Sequence, residues 1–229
     1  ANETELGEEP EKPAHEPAIN LPTVVLVLIL IMAAIHAIRM WALPDSVDNL
    51  VIYLFAFIPA TYGPLAQSAQ FPLAVYWSPI THAFLHGDWL HLGMNTIWMA
   101  AFGAPLARRF GAMRFLVLSA LCACGGALLH FWTYENEFVP VIGASGAVSG
   151  YMGAASRFIF NSKGRGNRFD PHGRAMSLME SFANRGFVMF FAISSNVGIF
   201  GIFNSSFQSF SGSISNITLP GFSPIVRNV

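Results

Sequence analysis

Long apolar stretches, separated by short polar or basic ones, run from residue 21 to residue 193 of this 229-residue chain. The first, from Leu21 to about Leu43, is long enough as an α-helix to cross a hydrocarbon core of about 30 Å. A fifth begins near Gly186 and is convincing only to Ile193. Three more stretches lie between them, at about 88–106, 115–132 and 139–160. The pattern predicts an all-α fold, a polytopic membrane helix bundle with five recognisable spans.

Residues 44–80 interrupt this pattern between the first two spans. They contain five prolines and one apolar patch, from Leu50 to Ile58. A long, proline-punctuated connection of this kind is typical of a loop in the membrane interface that carries short helical pieces. We therefore expect no membrane span in this region.

The two ends of the chain are polar. Residues 1–20 carry six glutamates, one lysine and several prolines, which predicts a disordered acidic tail. Residues 194–229 are rich in serine and asparagine and contain no credible sixth helix. The predicted organisation is an acidic tail over 1–20, a membrane domain over 21–193 and an atypical C-terminal segment over 194–229.

Composition agrees with the apolar pattern. With 53% hydrophobic and 11% charged residues, the chain is too apolar for a soluble globular domain. Cys122 and Cys124 point in different directions on a helix, so we expect two small buried side chains and no disulfide. We find no phosphate loop, metal-ligand cluster or basic aromatic surface in the sequence, and we expect no cofactor, no metal and no nucleic-acid partner.

Charges in the loops predict a topology. Basic residues follow the second and fourth spans, whereas the loop Tyr134-Glu135-Asn136-Glu137 after the third is acidic. By the positive-inside rule the two basic loops are cytoplasmic and the acidic loop is external, which places the N-terminal tail inside. We expect a multi-pass protein of a bacterial plasma (inner) membrane. The basic residues concerned are Arg108, Arg109, Arg114, Arg157, Lys163, Arg165, Arg168, Arg174 and Arg185.

Several polar side chains fall inside or beside the predicted spans. Asp88 is placed to cap the second span, in which His91 and Asn95 lie four residues apart and thus on one face. In the first span, Arg39 can extend to the interface, and His36 is more typical of helix packing than of a ligand. Two alternatives remain for His91 and Asn95. They are either an interhelical polar clamp, worth about 0.6 kcal/mol per hydrogen bond, or part of a functional site.

The stretch from Gly143 to Gly150, Gly-Ala-Ser-Gly-Ala-Val-Ser-Gly, also has two interpretations. Gly146 and Gly150 can form a small-residue packing face, and the serines can simply bond back to carbonyls one turn earlier. Alternatively, Gly143 allows a tight turn that presents Ser145 at the start of a helix. There the free N–H groups and the helix dipole favour an oxyanion.

The predicted topology brings Ser145, His91 and Asn95 to similar depths near the outer surface. Acyl transfer requires a nucleophile, donors to the developing oxyanion and a base. Ser145 can supply the nucleophile. The Asn95 amide, the His91 ring and the Ser145 N–H can supply the donors.

These residues resemble the rhomboid intramembrane serine proteases. Thr81-His82-Ala83, His86, His91 and Asn95 resemble that family's second-helix motif, and Gly143-Ala144-Ser145-Gly146 resembles its Gly-x-Ser-Gly nucleophile motif. The resemblance covers residues 21 to about 193. It implies a six-helix bundle, Ser145 as nucleophile, His91 and Asn95 at the oxyanion hole, and His82 and His86 shaping the structure around them. It also implies cleavage of transmembrane protein substrates near the external face of the bilayer, without a cofactor.

One part of the family's pattern is missing. Its general base is a histidine of the sixth helix, in an Ala-His-x-x-Gly setting, whereas this sequence has no histidine after His172. Two functions remain: a serine endopeptidase whose last helix is altered by a truncated or shifted reading frame, or a proteolytically silent relative that binds membrane clients. A small transporter fits less well, because the paired broken spans of a midplane site are absent from the sequence. The sequence names no particular substrate and no oligomeric state.

Overall fold

The computed structural model describes residues 20–63, 71–159, 174–186 and 189. Within these ranges the regular elements are helices joined by loops, with an isolated antiparallel bridge between Phe57 and Val141. The predicted all-α fold class is confirmed. The expected acidic tail, the Ser- and Asn-rich C-terminal segment and most of the expected fifth span lie outside the described residues.

Two helices in the described part of the chain are long and apolar enough to cross a membrane: α1, Thr23–Trp41, and α6, Ala112–Thr133. Pro22 precedes α1 and Gly111, with φ +77°, precedes α6. A proline cannot continue a helix towards its N-terminus, and a positive φ favours glycine. These two residues therefore define where the helices begin.

Short helical pieces make up the connection after α1, as the prolines predict. Helix α2, Asp45–Phe55, begins after Pro44 and carries Asp45 and Asp48 in its first turn, where the helix dipole favours negative charge. After it, the described residues of the connection form two 3₁₀ turns, Pro59–Tyr62 and Pro72–Tyr76, then α3, Ser78–Thr81, and a 3₁₀ turn, His82–Phe84.

The predicted second span is a helix with a π-turn in the middle. Helix α4, Trp89–Trp98, continues through a π-turn at Met99–Gly103 into α5, Ala104–Phe110. Pro105, at the start of α5, has no N–H to donate to the preceding turn. The π-turn thus lies where a proline interrupts the helical hydrogen-bond ladder. The helix extends a turn beyond the predicted end at residue 106.

Helix α7, Ser145–Ile159, packs closely on α6 through small residues. A Cβ at Gly146 would lie 3.3 Å from the Gly126 Cα, and a Cβ at Gly150 would lie 2.7 Å from the Cys122 Cβ. The two helix backbones thus approach at a distance that larger residues would prevent. The inner face of α7, with Val148 and Tyr151, belongs to the main apolar core. This core also contains residues of α1, α4, the π-turn, α5 and α6: Val25, Met32, Leu92, Met99, Leu106 and Phe115.

Helix α8, Leu178–Ala183, follows a gap in the described residues. Ser177 caps it by accepting from the Glu180 N–H, and the Glu180 carboxylate accepts from the Ser177 N–H. Arg157, in the last turn of α7, donates from its guanidinium to the Met176 carbonyl just before this helix. That bond ties α8 to the end of α7.

Arg39 has protein partners that the sequence did not predict. Arg39 is buried, and its guanidinium forms an ion pair with Asp48 and a hydrogen bond with the His86 carbonyl. A buried guanidinium requires such partners, because the loss of hydration would otherwise be very costly. His36, in contrast, packs as expected: it is fully buried with its ring edge-on to Trp89, at 4.6 Å between centroids.

Candidate active site

Ser145 is the first residue of α7 and is half-buried. Two residues before it, Gly143 has φ +108°, a conformation that side chains other than hydrogen rarely allow. The expected tight turn and helix start are thus both present. The first N–H groups of an α-helix have no intrahelical acceptors, so the start of α7 offers donors and a positive dipole end beside the serine.

His91 and Asn95 are both buried on one face of α4. The Asp88 carboxylate caps this helix by accepting from the His91 N–H at 2.7 Å, as its position predicted. The Asn95 side-chain Nδ2 donates to the His91 carbonyl one turn earlier, at 3.1 Å. The cap fixes where α4 begins, and the side-chain bond holds the Asn95 amide against its own helix.

The polar face of α4 lies directly against the serine turn. A Cβ at Gly143 would lie 2.6 Å from the His91 Nε2 and 3.6 Å from the Asn95 Nδ2. No side chain fits at that position, so the glycine is required by the space as well as by its φ. The His91 ring, the Asn95 amide and the N-terminus of α7 therefore surround one small region of backbone.

An extended segment leads into this turn and is held at alternate residues. We call residues 137–143 the strap. Its hydrogen bonds join Ala60 N to Glu137 O, the His130 ring to Val139 O, Phe57 to Val141 in both directions, and Gly143 N to His82 O. Neighbouring residues of an extended chain point in opposite directions, so the strap is anchored along its length to the rest of the protein. This anchoring determines where Ser145 begins its helix.

His82 and His86 support the same region. The His82 carbonyl accepts from the Gly143 N–H at 2.9 Å, and its ring Nδ1 donates to the Ser78 carbonyl at 3.0 Å. His86 is fully buried, with its ring 5.1 Å from the His91 ring. These contacts place His82 beside the Gly143 turn and His86 beside the His91 ring.

His130, on α6, is bound to the strap. Its Nε2 donates to the Val139 carbonyl at 2.8 Å, and its ring lies on Tyr134 with centroids 4.8 Å apart. An Nε2–H that is held by a carbonyl cannot accept a proton, so this nitrogen is unsuited to act as the base for Ser145. His172 lies outside the described residues.

Sequence reasoning missed two residues beside the site, Asp48 and Phe57. Asp48 pairs with Arg39, and Phe57 forms the bridge to the strap at Val141. An arginine in an apolar helix close to an acidic residue in the next amphipathic stretch was a usable signal for the pair. No sequence pattern marks the bridge. In the described part of the chain, no group of histidine, cysteine or carboxylate side chains is arranged to hold a metal ion.

Comparisons with known proteins extend the resemblance. Residues 74–218, well over half of the chain, match the family model described as "Rhomboid domain". One segment is 37% identical over 78 residues to RHOMBOID-like protein 5 of Arabidopsis thaliana, covering 34% of this chain and 25% of that protein. Similar segments match Rhomboid protein 1, mitochondrial, of Saccharomyces cerevisiae, at 36% over 90 residues, and Rhomboid protease GlpG of Serratia proteamaculans, at 38% over 79 residues.

These segments cover 38% and 34% of this chain, and 26% and 27% of the yeast and Serratia proteins, respectively. The matched part of the chain thus spans about a quarter of the length of each of the three relatives.

Proposed function

The chain belongs to the rhomboid family, and from this premise we propose that it is an intramembrane serine endopeptidase that cleaves transmembrane proteins near the external membrane face. Rhomboid proteins are embedded in membranes, and α1 and α6 are long and apolar enough to span one. In this proposal Ser145 is the nucleophile, and the lipid bilayer and transmembrane substrates are the partners.

The observation that carries the proposal is the contact of the Gly143 turn with His91 and Asn95. When the Ser145 Oγ attacks a peptide carbonyl, the carbon–oxygen double bond becomes a single bond and the oxygen gains negative charge. The His91 Nε2, the Asn95 Nδ2 and the Ser145 N–H supply donors for that charge. Fixed donors of this kind act strongly in a site with little water, and loss of one commonly costs about 100-fold to 1,000-fold in rate.

A serine also requires a base to take its proton. The resemblance implies a histidine from a sixth helix, and the printed sequence has none after His172. Loss of one member of a catalytic unit typically slows the reaction by about 10⁴-fold or more. We therefore propose that the polypeptide as printed has little or no protease activity. We also propose that the coding DNA, read in another frame near codon 194, encodes an apolar helix with an Ala-His-x-x-Gly-like element.

The second candidate function is a proteolytically silent rhomboid protein that binds membrane clients. The lack of a histidine after His172 in the printed sequence favours it. The intact contact of Gly143 with His91 and Asn95 favours the endopeptidase, since client binding alone does not require oxyanion donors at the start of a helix.

Sequencing the coding DNA around codon 194 is the first test, and a helix with the expected histidine in another frame supports the endopeptidase. The protein made from that frame is then incubated in liposomes with a single-span substrate. Cleavage is expected, together with a fluorophosphonate adduct on Ser145, and both are lost in Ser145→Ala. The matched control Ser149→Ala, one turn later on α7, should keep both.

Two results contradict the endopeptidase proposal. If every frame lacks such a helix and the printed chain forms no adduct, the silent relative is favoured. If Ser145→Ala cleaves as fast as the parent protein, Ser145 is not the nucleophile.

A further inference from the structure

Arg39 makes three directed contacts although it lies on a membrane helix. Its side chain is 4% exposed, whereas that of Asp48 is 21% exposed. Nε donates to one Asp48 carboxylate oxygen at 2.7 Å and Nη2 donates to the other at 3.2 Å. Nη1 donates to the His86 carbonyl at 2.8 Å. Arg39 of α1 thus joins α2 to the loop that precedes α4, residues 85–88, which we call the pre-α4 loop.

The third contact distinguishes this arrangement from an ordinary ion pair. A buried ion pair contributes little net stability, because burying both charges costs about as much as their attraction gains. It does impose geometry, since a planar guanidinium holds a carboxylate with two parallel bonds and leaves its other donors in fixed directions. Here the fixed donor is directed at the backbone of His86.

His86 connects that contact to the proposed site. Its ring is fully buried and lies 5.1 Å from the His91 ring, edge to face. The His91 ring in turn fills the space beside Gly143. A shift of the His86 backbone would therefore displace the ring that lies against the serine turn.

Helix α2 contacts both segments that flank the site. Asp48 and Ile52 are one turn apart on this helix and so lie on the same face. Ile52 is buried in a small apolar cluster with Leu85, from the loop before α4, and Ile142, from the strap. The same face of α2 thus binds the pre-α4 loop through Arg39 and both segments through Ile52.

We propose that Arg39 and Asp48 are positioning residues. They hold residues 85–88 so that His91 stays against the serine turn. The catalytic purpose of this positioning rests on the proposed function of His91 as an oxyanion donor. The structural coupling of Arg39 to His91 does not depend on that function. Without the Arg39 bond, the pre-α4 loop should open more often, and the His91 and Gly143 amides should lose part of their protection.

The test compares four full-length proteins in detergent: wild type, Arg39→Met, Asp48→Leu and the double variant. Asp48→Leu leaves a buried guanidinium without its carboxylate and should lower the Tm most. The double variant should recover most of the Tm, because replacing a buried ion pair by apolar side chains is often nearly neutral. It cannot recover the bond to the His86 carbonyl.

Hydrogen–deuterium exchange separates positioning from stability. We expect peptides covering residues 82–92 and 139–144 to exchange about tenfold faster in Arg39→Met and in the double variant, relative to α6 peptides of the same protein, as loss of a charged hydrogen bond implies. Arg109→Met is the matched control. It removes a guanidinium that lies 4.1 Å from the Phe158 ring and should leave both peptides unchanged.

The proposal is overturned if exchange in the double variant returns to the wild-type rate, or if it rises equally in α6. Either result would make Arg39 and Asp48 a merely structural pair. The measurement does not depend on Ser145 chemistry, and Ser145→Ala should give the wild-type exchange pattern. A failed fluorophosphonate reaction would therefore contradict the proposed function alone, whereas an unchanged exchange pattern would contradict the positioning role alone.

Discussion

At the scale of single residues, Gly143 is the position where backbone conformation and packing impose the same requirement. Its φ of +108° disfavours any residue other than glycine. A Cβ at this position would also lie only 2.6 Å from the His91 Nε2. Either the backbone of the strap or the His91 ring must move to accept even a methyl group. Both moves change the geometry around Ser145.

We expect Gly143→Ala to lower the stability by about 1–3 kcal/mol, the range for a strained backbone position or an overpacked core. It should also abolish any fluorophosphonate labelling of Ser145. Thermal unfolding in detergent and probe labelling measure the two effects. Gly93→Ala is the control, because a Cβ at Gly93 meets nothing within 4 Å and alanine is the better helix former. Equal behaviour of the two variants would contradict the close fit at Gly143.

Local chemistry explains which residues the sequence could predict. Asp88 as a cap, Gly143 as a turn and Ser145 at a helix start each depend on neighbours within four residues, and the structure has all three. The partners of Arg39, which are Asp48 and the His86 carbonyl, were not predicted, because the path of the chain after α1 brings them to it. Charge and position alone favoured the membrane interface.

At the scale of elements, the Gly143 to Gly150 stretch contains both the tight turn and the small-residue packing face that its two interpretations predicted. Gly143 forms the turn before Ser145, while Gly146 and Gly150 let α7 lie close to α6. The helix that presents the serine is thus held by a small-residue interface that begins one residue after it.

Exchanging Gly150 of α7 and Cys122 of α6 for each other's size tests whether the two helices pack at this point. A Cβ at Gly150 would overlap the Cys122 Sγ and lie 2.7 Å from the Cys122 Cβ, but 4.0 Å from the Cys122 Cα. We expect Gly150→Ala to lower the stability by about 1–3 kcal/mol through overpacking. Adding Cys122→Gly should restore part of this loss, offset by about 1 kcal/mol for a glycine inside a helix. Thermal unfolding of both single variants and the double variant gives the coupling. If the stability changes of the two single variants simply add in the double variant, the helices do not meet at Gly150 and Cys122.

Hydropathy predicted the positions of the main helices but not their internal breaks or their long-range bonds. The expected first and third spans agree with α1 and α6 to within a few residues. The π-turn before Pro105 was missed, because a proline in an apolar run can kink, end or locally widen a helix. The strap was missed because its partners, such as Phe57 and His82, are distant in sequence.

At the scale of the whole molecule, orientation in the membrane decides which side a substrate reaches. The basic residues after the second and fourth spans and the acidic loop after the third predict that the start of α7 faces outward. The 3₁₀ turn His82–Phe84, which leads to α4, contacts the strap through the hydrogen bond from Gly143 N to the His82 carbonyl, so the start of α4 and the strap must lie on the same side. Ser145, His91 and the acidic loop are therefore predicted to share the external surface.

Single cysteines test this orientation. In a background with Cys122→Ala and Cys124→Ala, we place one cysteine at Glu135 and, in a second protein, one at Arg165. Glu135 is exposed in the loop after α6, and it is preferred to Asn136, which has a φ of +63°. A membrane-impermeant maleimide added to intact cells should label position 135 and leave position 165 unlabelled until the membrane is opened. The reverse labelling pattern would show that the protein has the opposite orientation in the membrane, with the serine turn facing the cytoplasm. A substrate would then have to present its cleavage site at the cytoplasmic rather than the external surface.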